Sequence, residues 1–300
     1  MSFENLVIKA KDGYELSARL FESESPKAVI KFIHGMEEHK ERYDAFASYL
    51  QSNGYTVLTS DMRGHGENAP ILCHIADKDG HKLLIEDEQV MIEFLKEKYP
   101  NQPLYLFGHS MGTIIARKLL QTNSKDFVKT ALSGYPNPQG VAGVGAALSS
   151  LIALFKGKKG YSKLLTNMVT GSFNKSIENP RTNLDWLSYN EENVDRYISD
   201  PLSGVEFTIA SYNALFHLVA DINKPKLYKD VNEEMPIYLI SGVDDPCAGG
   251  EKGRADSLDR LSKAGFKNIE VKTLDNMRHE ILNETNKEEV YKLILDFFNK

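Results

Sequence analysis

Cysteine is scarce: 300 residues carry only Cys73 and Cys247, and neither belongs to a C-x-x-C pair. That argues against a disulfide scaffold, and the expectation is a reduced, cytoplasmic protein. Long apolar runs are lacking too. The stretch Val141 to Phe155 is apolar or small throughout, but it falls short of the roughly 20 residues a membrane-spanning helix needs. The N-terminus shows no basic segment followed by an apolar core, so no signal peptide is expected. Basic residues do not cluster beyond Lys156, Lys158 and Lys159, and the formal net charge is -6. Nucleic-acid binding therefore lacks its electrostatic footprint. There is no internal repeat, no low-complexity tract and no Gly-rich phosphate loop.

With 41% hydrophobic and 26% charged residues, the chain suits one large soluble domain, or one domain with an insertion. Runs at Asn5–Ala10 and Glu15–Glu22, joined at Asp12-Gly13, read as a β-hairpin. Ala28–Ile33, Thr56–Thr59, Pro103–Phe107 and Val128–Leu132 read as further strands. They are separated by helical stretches at Glu41–Gln51 and Leu84–Lys98 and after Gly112. Strands alternating with helices imply a mostly parallel sheet covered on both faces. From about Pro136 to about Pro225 only helix and loop signals occur. The alternation returns at Pro236–Ile240, Arg254–Ala264, Ile269–Leu274 and Glu288–Phe298. The economical reading is a core built from 1–135 and 226–300, with a helical cap inserted at 136–225. Within that cap, Val141–Phe155 reads as a helix that packs on its neighbours, lines an acyl channel or touches a lipid surface.

The chain turns on Gly108-His109-Ser110-Met111-Gly112. This G-x-S-x-G pattern follows an apolar strand and precedes a helix, the context in which it presents a nucleophile. With glycine and serine each at about 7% of residues, the pattern arises by chance about 0.1 times in a chain this long. The partners of Ser110 decide the matter. A serine hydroxyl needs a base, and the base needs an acid to orient it. On a sheet of this kind the order is serine, acid, histidine, which leaves His217 and His279. His217 lies in the apolar stretch Ala214–Ala220, where a packed, hydrogen-bonded histidine is expected. His279 follows the last strand, on the carboxyl edge where ligands gather, and is the expected base. The turn after Pro236–Ile240 offers two adjacent carboxylates. Asp245, held extended by the following Pro246, is the expected acid, with Asp244 in reserve and Asp275 a weaker alternative. The backbone N–H groups of Met111 and Met36 are the expected oxyanion donors. Asp61, Arg63 and His65 read as a hydrogen-bonded structural loop. The remaining histidine and carboxylate spacings suggest no metal cluster.

Taken together, His34-Gly35-Met36-Glu37-Glu38-His39 with Arg42-Tyr43, the loop Asp61–Gly66, the turn at Ser110, Gly242–Pro246 and Arg278–Glu284 resemble the α/β-hydrolase superfamily. Within it, the chain is similar to the monoacylglycerol lipase and lysophospholipase branch. The resemblance implies an α/β fold with a mostly parallel eight-stranded sheet under a helical cap. It also implies a serine esterase acting on single-chain acyl esters, with Ser110 as nucleophile, Asp245 as acid, His279 as base and no cofactor. The expected partners are an acyl-ester substrate and lipid surfaces touched by the cap. One departure is Glu37, where relatives often carry a small residue, and it bears on substrate preference. A peptidase of the same fold would need carboxylates under the cap to hold an ammonium group; Glu178, Asp185, Glu191, Glu192 and Asp195 are available but read as a solvated face. A binding module without catalysis would carry a damaged set of catalytic residues, whereas every part is present. Epoxide hydrolases and dehalogenases of this fold use an aspartate where Ser110 stands.

Overall fold

A computed structural model describes residues 2–137 and 142–300. Strands β1 (Glu4–Lys9), β2 (Glu15–Phe21), β3 (Ala28–Ile33), β4 (Tyr55–Ser60), β5 (Leu104–His109), β6 (Lys129–Ser133), β7 (Ile237–Gly242) and β8 (Ile269–Leu274) form one sheet in the order β1-β2-β4-β3-β5-β6-β7-β8. β2 runs antiparallel to both β1 and β4, and every other pairing is parallel. The central strands are apolar on both faces because both faces are covered. Along β3, Val29 and Ile33 join one core while Ile30 and Phe32 join the other; β5 and β7 alternate in the same way.

One face is covered by α2 (Gly80–Lys98) and α3 (Met111–Asn123), the other by α1 (Asp44–Ser52) and α9 (Lys287–Asn299). The expected helix at Glu41 begins instead as a 3-10 turn, Lys40–Tyr43, which lets Arg42 and Tyr43 face the site described below. Lys31 sits in the middle of β3, fully buried. It is tolerated because Glu88 of α2 lies 2.9 Å from its ammonium group, which also donates to Ser60 Oγ. A buried charge needs such a partner.

Between β6 and β7 the described residues form no strand. They contain α4 (Ala142–Lys156), α5 (Lys163–Val169), α6 (Glu191–Ser199) and α7 (Ile209–Ile222). The helix α8 (Gly250–Lys263) then precedes β8. α7 packs against α2, α3 and α4, tying the insertion to the core. Val141 lies outside the described residues. The rest of the apolar stretch is α4, whose outer face leaves Val144, Leu151, Leu154 and Phe155 54–83% exposed. None of the described residues of α4 lines the cavity beside Ser110, so the expected acyl channel along this helix is not formed. α7 occupies that wall instead.

Candidate active site

The loops leaving β3, β5, β7 and β8 meet at the carboxyl edge of the sheet, where the strand order reverses direction and a crevice opens. Ser110 stands at the β5–α3 turn with φ +51°, a conformation that is strained for a residue with a side chain. The helix can start so close to the sheet only because Gly112 has no Cβ. One added there would lie 2.2 Å from the carbonyl oxygen of Ile33. Gly242 plays the same part across the sheet: a Cβ on it would lie 2.1 Å from the carbonyl of Met277. The loop carrying His279 can therefore press against the turn carrying Asp245.

The three side chains meet. His279 Nε2 accepts from Ser110 Oγ at 2.8 Å, and His279 Nδ1 donates to Asp245 at 3.0 and 3.1 Å. Asp245 Oδ1 also accepts from Cys247 N–H at 2.8 Å, so its direction is set by its own turn as well as by Pro246. Asp244 is exposed and accepts from the Tyr189 hydroxyl, and Asp275 is exposed in its turn; neither reaches His279. His217 is half-buried and stacks on His81 with ring centroids 4.7 Å apart, rather than hydrogen-bonding as expected. Burial pushes the His279 imidazole down, but the Asp245 carboxylate more than offsets this and leaves it well above its ordinary value. His109, buried next to it, is pushed well below its ordinary value by burial and by His279, and stays neutral.

Met36, Met111, Ser110 and His279 share a cavity of about 740 Å³. Ile114, Leu215, Phe216 and Val219 form an apolar wall, while Glu37, Glu206 and Thr166 add a polar one. Of the acidic residues proposed from sequence, Glu178, Glu191, Glu192 and Asp195 are exposed, and Asp185 is buried, accepting from Thr182 and Arg181 N–H. None lines the cavity. Four other carboxylates do: Glu37, Glu38, Glu206 and Glu280. Glu38 and Glu280 are held by Arg42, whereas Glu37 and Glu206 come from two distant segments whose meeting sequence spacing does not reveal. Glu37 takes φ +58° and accepts from Phe207 N–H at 3.2 Å. Burial pushes it up to about 7.

A second feature beyond the sequence reading is a buried charge network behind the site. Arg42 donates to both oxygens of Glu280 at 2.7 Å and to Glu38 at 2.8 Å, while Asn193 of α6 donates to Glu280 at 2.6 Å. Glu38 also accepts from Gly35 N–H and from the Tyr43 hydroxyl. The network thus joins the loop of Met36, the loop of His279 and α6. Burial would push Glu280 up, but Arg42 overrides it and brings it down to about 2. Replacing Arg42 by alanine leaves two buried carboxylates without their cation. The expected loss is about 3–5 kcal/mol of stability, read as a lower urea midpoint at pH 7. Asp61, which accepts from Lys40, and Arg63, bidentate to Asp87 and Asp12, form the structural loop expected from sequence. Asp245, Cys247 and His279 bring their ligating atoms within 4.8 Å of one another, a grouping that the histidine and carboxylate spacings do not suggest. Asp245 and His279 lie 34 residues apart in sequence, and the loops after β7 and β8 bring them together.

A family model described as serine aminopeptidase, S33 matches residues 24–286. The chain belongs to this family. Among relatives of this S33-family hydrolase, mouse monoglyceride lipase is 28% identical over 64% of the chain, and the match spans 57% of the mouse enzyme's own length. Human monoglyceride lipase is 26% identical over 87% of the chain and 78% of the human enzyme. In three dimensions, a carboxyl esterase from Bacillus coagulans solved in complex with glycerol superposes with a TM-score of 0.90. It is 26% identical and the match covers 100% of this chain and 98% of that one. The fold is that of the α/β-hydrolases.

Proposed function

We propose that the chain is a serine hydrolase that cleaves carboxylic esters of single-chain lipids, of the monoacylglycerol or lysophospholipid type. The observation that carries this reading is the continuous hydrogen-bonded line from Ser110 through His279 to Asp245, opening on a half-apolar cavity. Ser110 attacks the ester carbonyl as His279 Nε2 takes its proton, and Asp245 stabilises the imidazolium. The N–H groups of Met36 and Met111 receive the oxyanion, Met111 as the first residue of α3, where amides lack acceptors within the helix. His279 then returns the proton to the leaving alcohol and activates a water that releases the fatty acid. The apolar wall from α3 and α7 takes the acyl chain. The names of the mouse and human relatives support this substrate class, and the insertion 136–225 is proposed to act as the cap. Monoacylglycerols and p-nitrophenyl esters of graded acyl length test the proposal. Medium or long chains should give the higher kcat/KM, and no turnover of any chain would refute it.

A peptidase is the second reading, favoured by the family description and by Glu37 and Glu206 on the cavity wall. With Glu37 pushed up to about 7, this wall offers a proton-bearing group suited to a hydroxylated head group more than a fixed pair of anions for an ammonium. Aminoacyl-naphthylamides measured beside the esters separate the two.

No helix among the described residues is long and apolar enough to cross a membrane. We propose that the exposed face of α4 rests on lipid surfaces, beside Lys156 and Lys158. Burying a large apolar side chain contributes roughly 1.5–3 kcal/mol. Changing Leu154 and Phe155 together to serine should therefore weaken binding to lipid vesicles at least about tenfold. Turnover of a soluble p-nitrophenyl ester should not change, and co-sedimentation with vesicles provides the check.

A further inference from the structure

We propose that Asp245, Cys247 and His279 form a built-in inhibitory site for a thiophilic divalent cation of the zinc class. The ligating atoms of the three residues lie within 4.8 Å of one another, and all three residues are buried. A carboxylate, an imidazole and a thiolate are a donor set that zinc and cadmium accept, whereas magnesium and calcium prefer oxygen alone. The nitrogen that faces the carboxylate is Nδ1, 3.0 Å from Asp245 Oδ2. Ligand atoms around a tetrahedral zinc are roughly 3.3 Å apart when each bond is about 2.0–2.1 Å, so the carboxylate and imidazole already stand near that spacing, and the Cys247 side chain, within 4.8 Å of both, closes onto the ion by side-chain rotation. Asp245 and Cys247 rise from one short 3-10 turn, Pro246–Ala248, that the carboxylate itself caps. Their relative placement is therefore set by backbone before any ion arrives. Cys247 and His279 both line the cavity beside Ser110, which gives the ion an entry path and leaves a fourth position for water.

The proton balance explains the inhibition. In the free protein the neutral imidazole carries its proton on Nδ1, donated to Asp245, and its Nε2 lone pair faces Ser110 Oγ. A cation that binds Nδ1 displaces the proton held there; that proton passes to the Nε2 lone pair, and the Cys247 thiol releases its own proton to solvent. Nε2–H can then donate to Ser110 but cannot accept its proton, and the cation has neutralised the charge of Asp245. Cation binding itself needs only the three side chains. The inhibition rests additionally on the reading of Ser110 and His279 given above.

Two measurements separate these layers. In Ser110→Ala protein, cadmium should produce an ultraviolet thiolate-to-metal band that saturates at one equivalent. The band should vanish when Cys247→Ser is added, weaken at least tenfold in affinity with His279→Gln, and persist with Cys73→Ser, whose site is a buried core position. In the otherwise unaltered enzyme, zinc should inhibit ester turnover reversibly, a chelator should restore it, and Cys247→Ser should raise the half-inhibitory zinc concentration at least tenfold, each protein measured against its own zinc-free rate. A missing band, or one that survives Cys247→Ser, overturns the site. A normal band with undiminished turnover overturns the tautomer argument. Absence of any ester turnover would count against the proposed function and leave the cadmium result standing.

Discussion

Ser110→Ala is expected to lower kcat for ester hydrolysis by about 10⁶-fold, a loss of the size seen when a hydrolase nucleophile is removed. Alanine keeps the strained backbone geometry at φ +51° no worse than serine does, so folding should be retained. What disappears is the oxygen 2.8 Å from His279 Nε2. The imidazole then faces an empty position and can at best activate water directly. Rate measurements with a medium-chain p-nitrophenyl ester, together with loss of fluorophosphonate labelling, provide the check. A variant keeping more than about a hundredth of the activity would mean that another group attacks the ester.

The second large effect is at the acid. Asp245→Asn is nearly isosteric, yet kcat should fall about 10⁴-fold, because an amide no longer enforces the Nδ1–H tautomer or stabilises the imidazolium. The pH profile separates this from simple misplacement. His279 must be neutral to take a proton, so kcat/KM should rise with pH as the imidazolium titrates. Burial alone would put that titration low, but Asp245 raises it well above the ordinary histidine value. The ascending limb in the unaltered protein is therefore expected above pH 6.5. Removing the Asp245 charge takes away the largest opposition to burial, and the residual limb of the variant should move to lower pH. A limb that stays in place would show that another group controls the titration. Asp244→Asn serves as control, since that carboxylate is exposed and bonded only to Tyr189 among the described residues.

Local chemistry made much of this protein legible before any coordinates. The strands announced themselves because both faces of β3, β5 and β7 are buried and their residues are apolar in unbroken runs. Ser110 was legible because an elbow tolerates few residue types at its tightest points, and Asp245 because proline fixes the residue before it. His279 followed from chain order and from its place after the last strand. What was not legible was every relation between segments far apart in sequence. Glu38, Arg42 and Glu280 lie in segments that the sequence singles out, but nothing in local pattern shows that Arg42 meets Glu38, Glu280 and Asn193 of α6 at one point.

The sequence by itself determined the order of strands and helices, the residues able to serve as nucleophile, acid and base, and the absence of a basic face. These properties are written in neighbouring residues, in unbroken apolar runs, turn chemistry and spacing. Only the tertiary structure decided which carboxylates face the cavity, that α7 rather than α4 walls it, and that Cys247 joins the acid and the base. Those outcomes depend on how loops from opposite ends of the chain pack against one another. That packing is settled by shape and by the pairing of buried charge, neither of which any single stretch of sequence contains.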